Sequence, residues 1–164
     1  MLRFFFVCLF LTSVCAQAME PVEVGETRFA KASLTIVGPE GEKSYDPAAL
    51  ERFGTYALET VTPWRTEPAN FVGIRLRDLL RAHGIAEVSA IRVTAENDYA
   101  VTIMRDSWTE HDPLVATRVN GAGHSRRARG PIQFVFDMSN DPKVGHETFE
   151  ANWVWMAARI EVAE

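Results

Sequence analysis

Short alternating stretches of hydrophobic and polar positions dominate this chain. Residues 32–38, "ASLTIVG", alternate as a half-buried β-strand does, and the following "GPEGEK" has the composition of a turn. Further strand-like runs occupy 55–61, 90–95, 99–104, 113–119, 131–137 and 153–162. Many short strands with few helices predict a β-rich α+β domain.

Two short helices are predicted between these strands. Residues 46–54 begin with Asp46, which can cap a helix, and end with Gly54, which can stop one. The stretch 74–84 has helical spacing, i, i+3, i+4 and i+7, at Leu76, Leu79, Leu80 and His83. His83 therefore lies on an apolar face, and we expect a hydrogen-bonded core side chain rather than a ligand.

The N-terminus has the layout of a secretory signal peptide. Arg3 precedes the apolar run 4–14, and the small-x-small site Ala16-Gln17-Ala18 follows. The run is too short to cross a bilayer, so a membrane anchor is the less favoured interpretation. We predict a signal peptide at 1–18 and a single periplasmic domain at 19–164, with no membrane insertion after cleavage.

Cysteine content and net charge limit the reactions and the binding partners that this domain could have. The only cysteines, Cys8 and Cys15, fall within the predicted signal peptide, so the domain has no thiolate for a metal or for nucleophilic attack. The formal net charge is −5, and loss of Arg3 makes it one unit more negative. An acidic domain is a poor partner for nucleic acid or anionic membranes.

Sequence motifs for other common chemistries are absent. The chain has no G-x-S-x-G, no P-loop and no dinucleotide-binding glycine pattern. Its remaining histidines, His111, His124 and His146, lack zinc-ligand spacing. Hydrolase and nucleotide-binding functions gain no support from the sequence.

Four segments together resemble the molybdopterin-binding domain of the sulfite oxidase family. "FVGIRLRDLLRAHGI" is similar to its strand, glycine and leucine-rich helix, and "VTAENDYAVTI" to the Asn-Asp-Tyr segment of small exported members. "PLVATRVNGAGHSRRARGPIQFVFD" resembles the family's acceptor-loop run, and "WVWMAARIEV" its closing strand. They cover most of 55–162 in the family's order. The resemblance implies a β-rich α+β fold with mixed sheets and a few short helices.

The chain departs from this family at the metal ligand. Catalytic members bind molybdenum through a cysteine thiolate, but the nearest positions here are Val61 and Thr62. A threonine hydroxyl is a much poorer ligand for such a metal. We therefore predict a non-catalytic pterin-binding protein without a metal. The alternative is a molybdopterin-dependent oxidoreductase domain with a non-cysteine molybdenum ligand.

A pterin ring requires three kinds of contact from its site. Its amino edge needs an acceptor, its carbonyl needs a donor, and its flat face needs an aromatic partner. In the segments that resemble the family, the candidate pterin-binding residues are Thr62, Trp64, Arg65, Asn97, Asp98, Tyr99, Arg105, Trp108 and Arg129. We expect the carboxylate of Asp98 to face the amino edge.

Several of these candidates have a structural interpretation as well. Asn97 and Asp98 also suit a plain β-turn, and Tyr99 suits a half-buried strand position. Trp64 and Trp108 could instead fill the core. A further tryptophan pair, Trp153 and Trp155, shares one strand face by its period of two, and packing is expected there.

The loop "HSRRARG" forms a basic cluster on an acidic chain. It is either a solvated loop or a site that captures an anionic or carbonyl-rich ligand. The resemblance favours Arg129 within it, because this residue directly precedes Gly130-Pro131.

A partner is implied by the resemblance alone. Small exported members look like accessory sensors that report ligand state to the periplasmic domain of a membrane receptor. One class of such receptors controls a cyclic dinucleotide second messenger.

Overall fold

The computed structural model describes residues 19–163, so the predicted signal peptide lies outside the described residues. The strands are β1 (Glu20–Pro21), β2 (Leu34–Gly38), β3 (Gly41–Tyr45), β4 (Tyr56–Thr62), β5 (Arg65–Arg75), β6 (Ala90–Ala95), β7 (Ala100–Met104), β8 (Leu114–Val119), β9 (Ala122–Gly123), β10 (Gln133–Val135) and β11 (Ala157–Val162). The helices are α1 (Pro47–Leu50), α2 (Leu76–Ala82) and α3 (Arg105–Thr109). Short 3-10 turns add Glu51–Phe53, Arg126–Ala128, Pro142–Gly145 and Glu150–Asn152.

The strands form two sheets. The first has the order β1-β4-β5-β8-β10, with β9 also paired to β8, and all its neighbours are antiparallel. The second has the order β3-β2-β11-β6-β7, in which β11 runs parallel to β2 and antiparallel to β6. This confirms the predicted α+β class with a mixed sheet and few short helices.

One cluster of buried side chains joins the two sheets. It includes Leu34 and Ile36 of β2, Ile74 of β5 and Ile160 of β11, none of which is exposed to solvent. Each such aliphatic side chain contributes about 1.5–3 kcal/mol when it leaves water. Among residues 19–163, no helix combines the length and the apolar composition needed to cross a lipid bilayer.

Both predicted helices form with the expected ends. Asp46 Oδ1 accepts the Ala49 N–H at 2.7 Å, and Gly54 takes the positive φ of 101° that favours glycine. In α2 the three leucines are fully buried. His83 Nδ1–H donates to the Leu79 carbonyl at 2.7 Å, so Nε2 accepts from the Tyr45 hydroxyl at 2.9 Å. His83 is thus the satisfied core side chain that its position predicts.

Strand β5 is much longer than its sequence indicates. Residues 65–70, whose polar composition gives no strand pattern, pair with β4 across a tight turn at Pro63 and Trp64. Cross-strand pairing and burial of Ala69 and Phe71 outweigh the polar composition here. The consequence is that Trp64 sits at a hairpin tip and not in a free loop.

The closing strand is shorter than predicted. Only Ala157–Val162 is strand, because the chain before it is irregular and Met156 has a φ of 53°. Trp153 and Trp155 therefore do not share a strand face. The side chain of Trp153 is 1% exposed and packs in the core, whereas that of Trp155 is 37% exposed.

The short helix α3 was also not predicted from the hydrophobic periodicity of the sequence.

A buried ion pair fastens the 3-10 turn after α1 to the first sheet. The Glu51 carboxylate accepts from Arg118 Nε and from Arg118 Nη2, both at 2.8 Å, and from the Thr117 hydroxyl at 2.7 Å. The guanidinium carbon Cζ of Arg118 also lies 5.3 Å from the Phe29 ring centre, which is a cation–π contact. These contacts fix the position of β8, which continues through β9 into the basic loop.

Candidate ligand-binding site

A cavity of about 320 Å³ lies where three segments of the chain meet. They are the β4–β5 turn, the basic loop after β9, and the irregular segment before β11. Its lining combines aromatic, cationic and neutral polar side chains: Thr62, Trp64, Arg65, Phe71, Val119, His124, Arg126, Arg127, Ala128, Arg129, Gln133 and Trp155. Its size is at the lower end of the range for small-molecule sites.

Two tryptophans form an aromatic platform in this cavity. The rings of Trp64 and Trp155, which we call the indole pair, lie 5.7 Å apart at an interplanar angle of 25°. The guanidinium carbon of Arg129 lies 4.5 Å from the Trp64 ring centre and 4.2 Å from that of Trp155. Trp153 supports Trp64 from the core in an edge contact at 6.4 Å. Arg129 thus makes a cation–π contact with both platform rings.

The backbone holds Arg129 in an uncommon conformation. It follows the 3-10 turn Arg126–Ala128 with a φ of 75°, in the left-handed region that disfavours residues other than glycine. Such a residue costs about 1 kcal/mol or more and persists only where its surroundings fix it. Here the Arg129 carbonyl accepts the Met156 N–H at 3.3 Å, and Gly130 N–H donates to the Ser125 carbonyl at 2.9 Å.

Trp155 is positioned by hydrogen bonds on both sides of it. The Phe134 N–H donates to the Val154 carbonyl at 2.7 Å, and the Ala157 N–H donates to the Ile132 carbonyl at 2.9 Å. A single β-bridge pairs Trp155 itself with Gln133 of β10. The first sheet thereby carries Trp155 to the place opposite Trp64.

The charge of the cavity is opposite to that of the chain. Four arginines line it, and Arg126 forms a bidentate pair with Glu96 at 2.8 and 2.7 Å. Within residues 19–163, the other three, Arg65, Arg127 and Arg129, have no carboxylate in salt-bridge distance. No acidic side chain belongs to the lining. The site is therefore suited to a ligand rich in anionic or carbonyl oxygens.

A buried histidine completes the lining. His124 is 1% exposed, and its Nε2 lies 2.8 Å from Gln133 Oε1, while its Nδ1 has no hydrogen-bond partner in the described part of the chain. Burial lowers the pKa of His124, and the nearby charge of Arg65 lowers it further. A Cβ at Gly130 would lie only 2.5 Å from His124 Cγ, so the ring needs glycine at this position. The imidazole is consequently held neutral and tightly packed.

The structure brings four of the nine candidate residues together. Thr62, Trp64, Arg65 and Arg129 all line the cavity. Among the lining residues that were not candidates, His124, Gln133 and Trp155 bring side chains that could contact a ligand. The sequence contained one signal for them, since His124 opens the basic loop, but nothing in it placed Trp155 opposite Trp64.

The other five candidates lie outside the cavity lining. Asn97 and Asp98 form the turn between β6 and β7, where Asp98 has a φ of 65° and its N–H donates to the Ala95 carbonyl at 3.1 Å. Tyr99 next to them is 42% exposed. Arg105 pairs with Glu87 at the surface. Whether any of these residues contacts a ligand stays a prediction.

Trp108, the last of the five, belongs to the hydrophobic core. Its side chain is 1% exposed, and its indole N–H donates to the Ala86 carbonyl at 3.4 Å. It therefore occupies the core position that was the structural alternative for this residue.

The donor set of the cavity does not fit a metal centre bonded by the protein. Its lining contains no thiolate and no carboxylate, and Thr62 contributes only a hydroxyl. Across residues 19–163, no group of three or more His, Cys, Asp or Glu side chains is arranged to hold a metal ion. Three arginines without carboxylate partners also oppose a bare cation. We therefore derive no chemical step through molybdenum.

A larger and more open depression of about 770 Å³ lies beside the second sheet. Its lining is mostly glycine, proline and aliphatic side chains, with Arg92 and Glu161 as the charged members. It has neither an aromatic platform nor converging polar groups, so the smaller cavity is the candidate site.

Comparison with known proteins supports the fold. No protein-family model matches the chain, and no curated protein does. The crystal structure of the sulfane dehydrogenase SoxCD from Paracoccus pantotrophus is similar over 87% of this chain, with a TM-score of 0.58 and 15% identity. The chain spans only 40% of the length of that protein. At this identity the likeness concerns the fold alone.

Removing the Arg129 guanidinium should loosen the indole pair. We expect Arg129→Ala to lower the free energy of unfolding by about 1 kcal/mol, because a cation–π contact of that size is lost. Its tryptophan fluorescence should also change in intensity. Arg127→Ala is the matched control, since Arg127 is exposed and lies on neither indole. Equal urea-unfolding midpoints and spectra for both variants would contradict the stacking role of Arg129.

The neutral state of His124 should make stability depend on pH. Its pKa is lowered in the folded state from an ordinary 6.5, so the unfolded chain binds the proton more readily below that pH. The contribution of His124 is therefore complete above about pH 6.5 and is lost as the pH falls toward the folded-state pKa. We expect the loss of unfolding free energy between about pH 7.5 and pH 5.5 to be smaller in His124→Gln, measured by urea titration.

Proposed function

We propose that this chain is an exported, non-catalytic pterin-binding protein that reports ligand state to a membrane receptor. The single observation that carries the binding proposal is the indole pair beside three arginines that have no carboxylate partner, all in one cavity. The sequence resemblance to the molybdopterin-binding domain of the sulfite oxidase family and the fold likeness to a sulfane dehydrogenase support the same class of ligand.

The geometry favours a flat ring with an anionic or carbonyl-rich end. A planar heterocycle can stack on the exposed part of Trp155, as bases do on aromatic side chains at about 1–3 kcal/mol each. To reach the indole pair it must displace the guanidinium of Arg129, which is then free to pair with ligand oxygens. The pterin carbonyl and any acidic substituent face Arg65 and Arg127 in this arrangement.

The absence of a soft ligand in the lining favours binding over redox catalysis. A sulfane dehydrogenase shares the fold, but this chain corresponds to less than half of that protein. Thr62 occupies the end of β4 in the cavity, and it is a weak ligand for a thiolate-seeking metal. A ligand that contains the organic pterin without the metal fits these residues best.

A chain of hydrogen bonds supports the reporting role. The Arg129 carbonyl accepts from Met156 N–H at 3.3 Å, and the Met156 carbonyl accepts from Glu96 N–H at 2.8 Å. Glu96 in turn holds Arg126 of the cavity wall. Because Glu96 directly precedes the turn 97–99, displacement of Arg129 can alter this exposed turn.

The proposed partner is the periplasmic domain of a membrane receptor, including receptors that control a cyclic dinucleotide. The ligand can act on such a partner only if its affinity differs between the free and the partner-bound chain. The exposed turn that contains Tyr99 is the surface on which that difference is proposed to arise.

Titration with pterin-6-carboxylate tests the binding proposal. We expect it to quench tryptophan fluorescence saturably, and Trp64→Ala to weaken its affinity about tenfold because one stacking face is lost. Lys43→Ala is the control, since this exposed residue of β3 lies outside the lining and was never a candidate contact. The uncharged neopterin should bind more weakly than the carboxylate. No saturable binding by the wild-type chain, or stoichiometric molybdenum in protein isolated from cells, would refute the proposal.

Hydrogen exchange tests the reporting role. We expect saturating pterin-6-carboxylate to change amide exchange at residues 97–99, because the hydrogen bonds through Met156 connect them to the cavity. Glu96→Ala should reduce that change at equal ligand occupancy, since the link through Arg126 is removed. The turn between β2 and β3 serves as the internal reference. Identical exchange at 97–99 with and without ligand would show that the turn does not respond.

A further inference from the structure

We infer that His124 determines ligand specificity by accepting a hydrogen bond from an N–H group of the ligand ring. The inference rests on the proposed function and concerns the same cavity. It assigns the acceptor that a pterin amino edge requires, a role that the sequence resemblance gave to Asp98.

The cavity contains many donors and few acceptors. Arginine side chains only donate hydrogen bonds, so Arg65, Arg127 and Arg129 cannot receive one from a ligand. No carboxylate lines the cavity, and Glu96, which holds Arg126, lies outside the lining. Among the lining side chains, the acceptors that a ligand N–H could use are the Thr62 hydroxyl, the Gln133 amide oxygen and a ring nitrogen of His124. The Gln133 oxygen already accepts from His124, so the ring nitrogen is the acceptor without a partner.

The hydrogen bond to Gln133 defines the tautomer of His124. Gln133 Oε1 accepts from Nε2–H at 2.8 Å, so Nδ1 carries the lone pair. Within residues 19–163 this Nδ1 is buried and has no hydrogen-bond partner. The His124 residue is only 1% exposed to solvent. A buried acceptor without a partner is costly, and a ligand N–H would satisfy it. Gly130 lies close against His124, because a Cβ at this glycine would be only 2.5 Å from His124 Cγ.

The charges around His124 keep it an acceptor. Burial and the positive charge of Arg65 both disfavour the imidazolium, and no acidic side chain in the lining opposes them. A neutral His124 distinguishes ligands that present an N–H from those that present only acceptors. The preferred ligand is thus a planar heterocycle with an N–H on one edge and oxygens on the part that meets the arginines.

A thermodynamic cycle tests this assignment. Pterin-6-carboxylate is compared with two analogues, one methylated at ring N3 and one with a dimethylated 2-amino group, on wild-type chain and on His124→Phe. We expect His124→Phe to weaken binding of the parent compound about tenfold. For at least one analogue, methylation should cost wild type about tenfold more affinity than it costs the variant. Equal costs in both proteins for both analogues would overturn the inference.

The wild-type chain provides a test that does not depend on a variant folding. In ¹⁵N NMR, we expect the Nδ1 of His124 to have the shift of an unprotonated nitrogen and to move toward the hydrogen-bonded value when pterin-6-carboxylate is added. His146, which is exposed, serves as the reference histidine and should not move. A saturable fluorescence titration with an unmoved His124 Nδ1 would refute the role of His124 while the proposed pterin binding stands. No binding by wild type would refute both.

Discussion

The contact of the Arg129 guanidinium with two indole rings is the interaction on which the candidate site depends. Trp64 comes from the β4–β5 turn, Arg129 from the basic loop, and Trp155 from the segment before β11. The contact therefore joins all three segments at one point. A cation held over aromatic faces is stabilising, but only moderately so, and a flat ligand can replace it. The two indole rings are thus held in position without a ligand, and the Arg129 guanidinium that covers them can be displaced by one.

The chemistry of the cavity follows from what surrounds this contact. An acidic chain concentrates unpaired guanidinium groups in one place and excludes carboxylates from it. Such a lining attracts ligand oxygens and disfavours a bare metal cation. Residues 19–163 contain no thiol, so the side chains that line the cavity offer a ligand only nitrogen and oxygen atoms, aromatic faces and aliphatic surface.

Two residues in the left-handed region stand side by side in this architecture. Arg129 and Met156 have φ values of 75° and 53°, and they share a backbone hydrogen bond. Neither is glycine, so each conformation is unfavourable by itself and is maintained by its neighbours. These two residues lie between the cavity and the exposed turn 97–99, where the proposed function needs a connection between ligand and surface. This is the physical basis for proposing a reporting role and not simple storage of a ligand.

Local patterns in the sequence were sufficient for most secondary structure. Asp46 and Gly54 fix the ends of the first helical segment through a side-chain cap and a positive φ, and the leucine spacing fixes the buried face of α2. Alternation identified β6 within its observed bounds. The polar strand β5 and the irregular backbone of residues 153–156 were not predicted. Their conformations depend on cross-strand pairing and on long-range hydrogen bonds, which a local pattern does not contain.

The sequence by itself determined the α+β class and the lack of a thiol in residues 19–163, and it proposed nine candidate residues, of which Thr62, Trp64, Arg65 and Arg129 line the cavity. These depend on composition, periodicity and resemblance, which are readable along the chain. Only the tertiary structure decided that Trp155 faces Trp64, that His124 is buried, and that Trp108 is core. Each of these depends on which distant segments the two sheets bring together, and side-chain type alone carries no information about that.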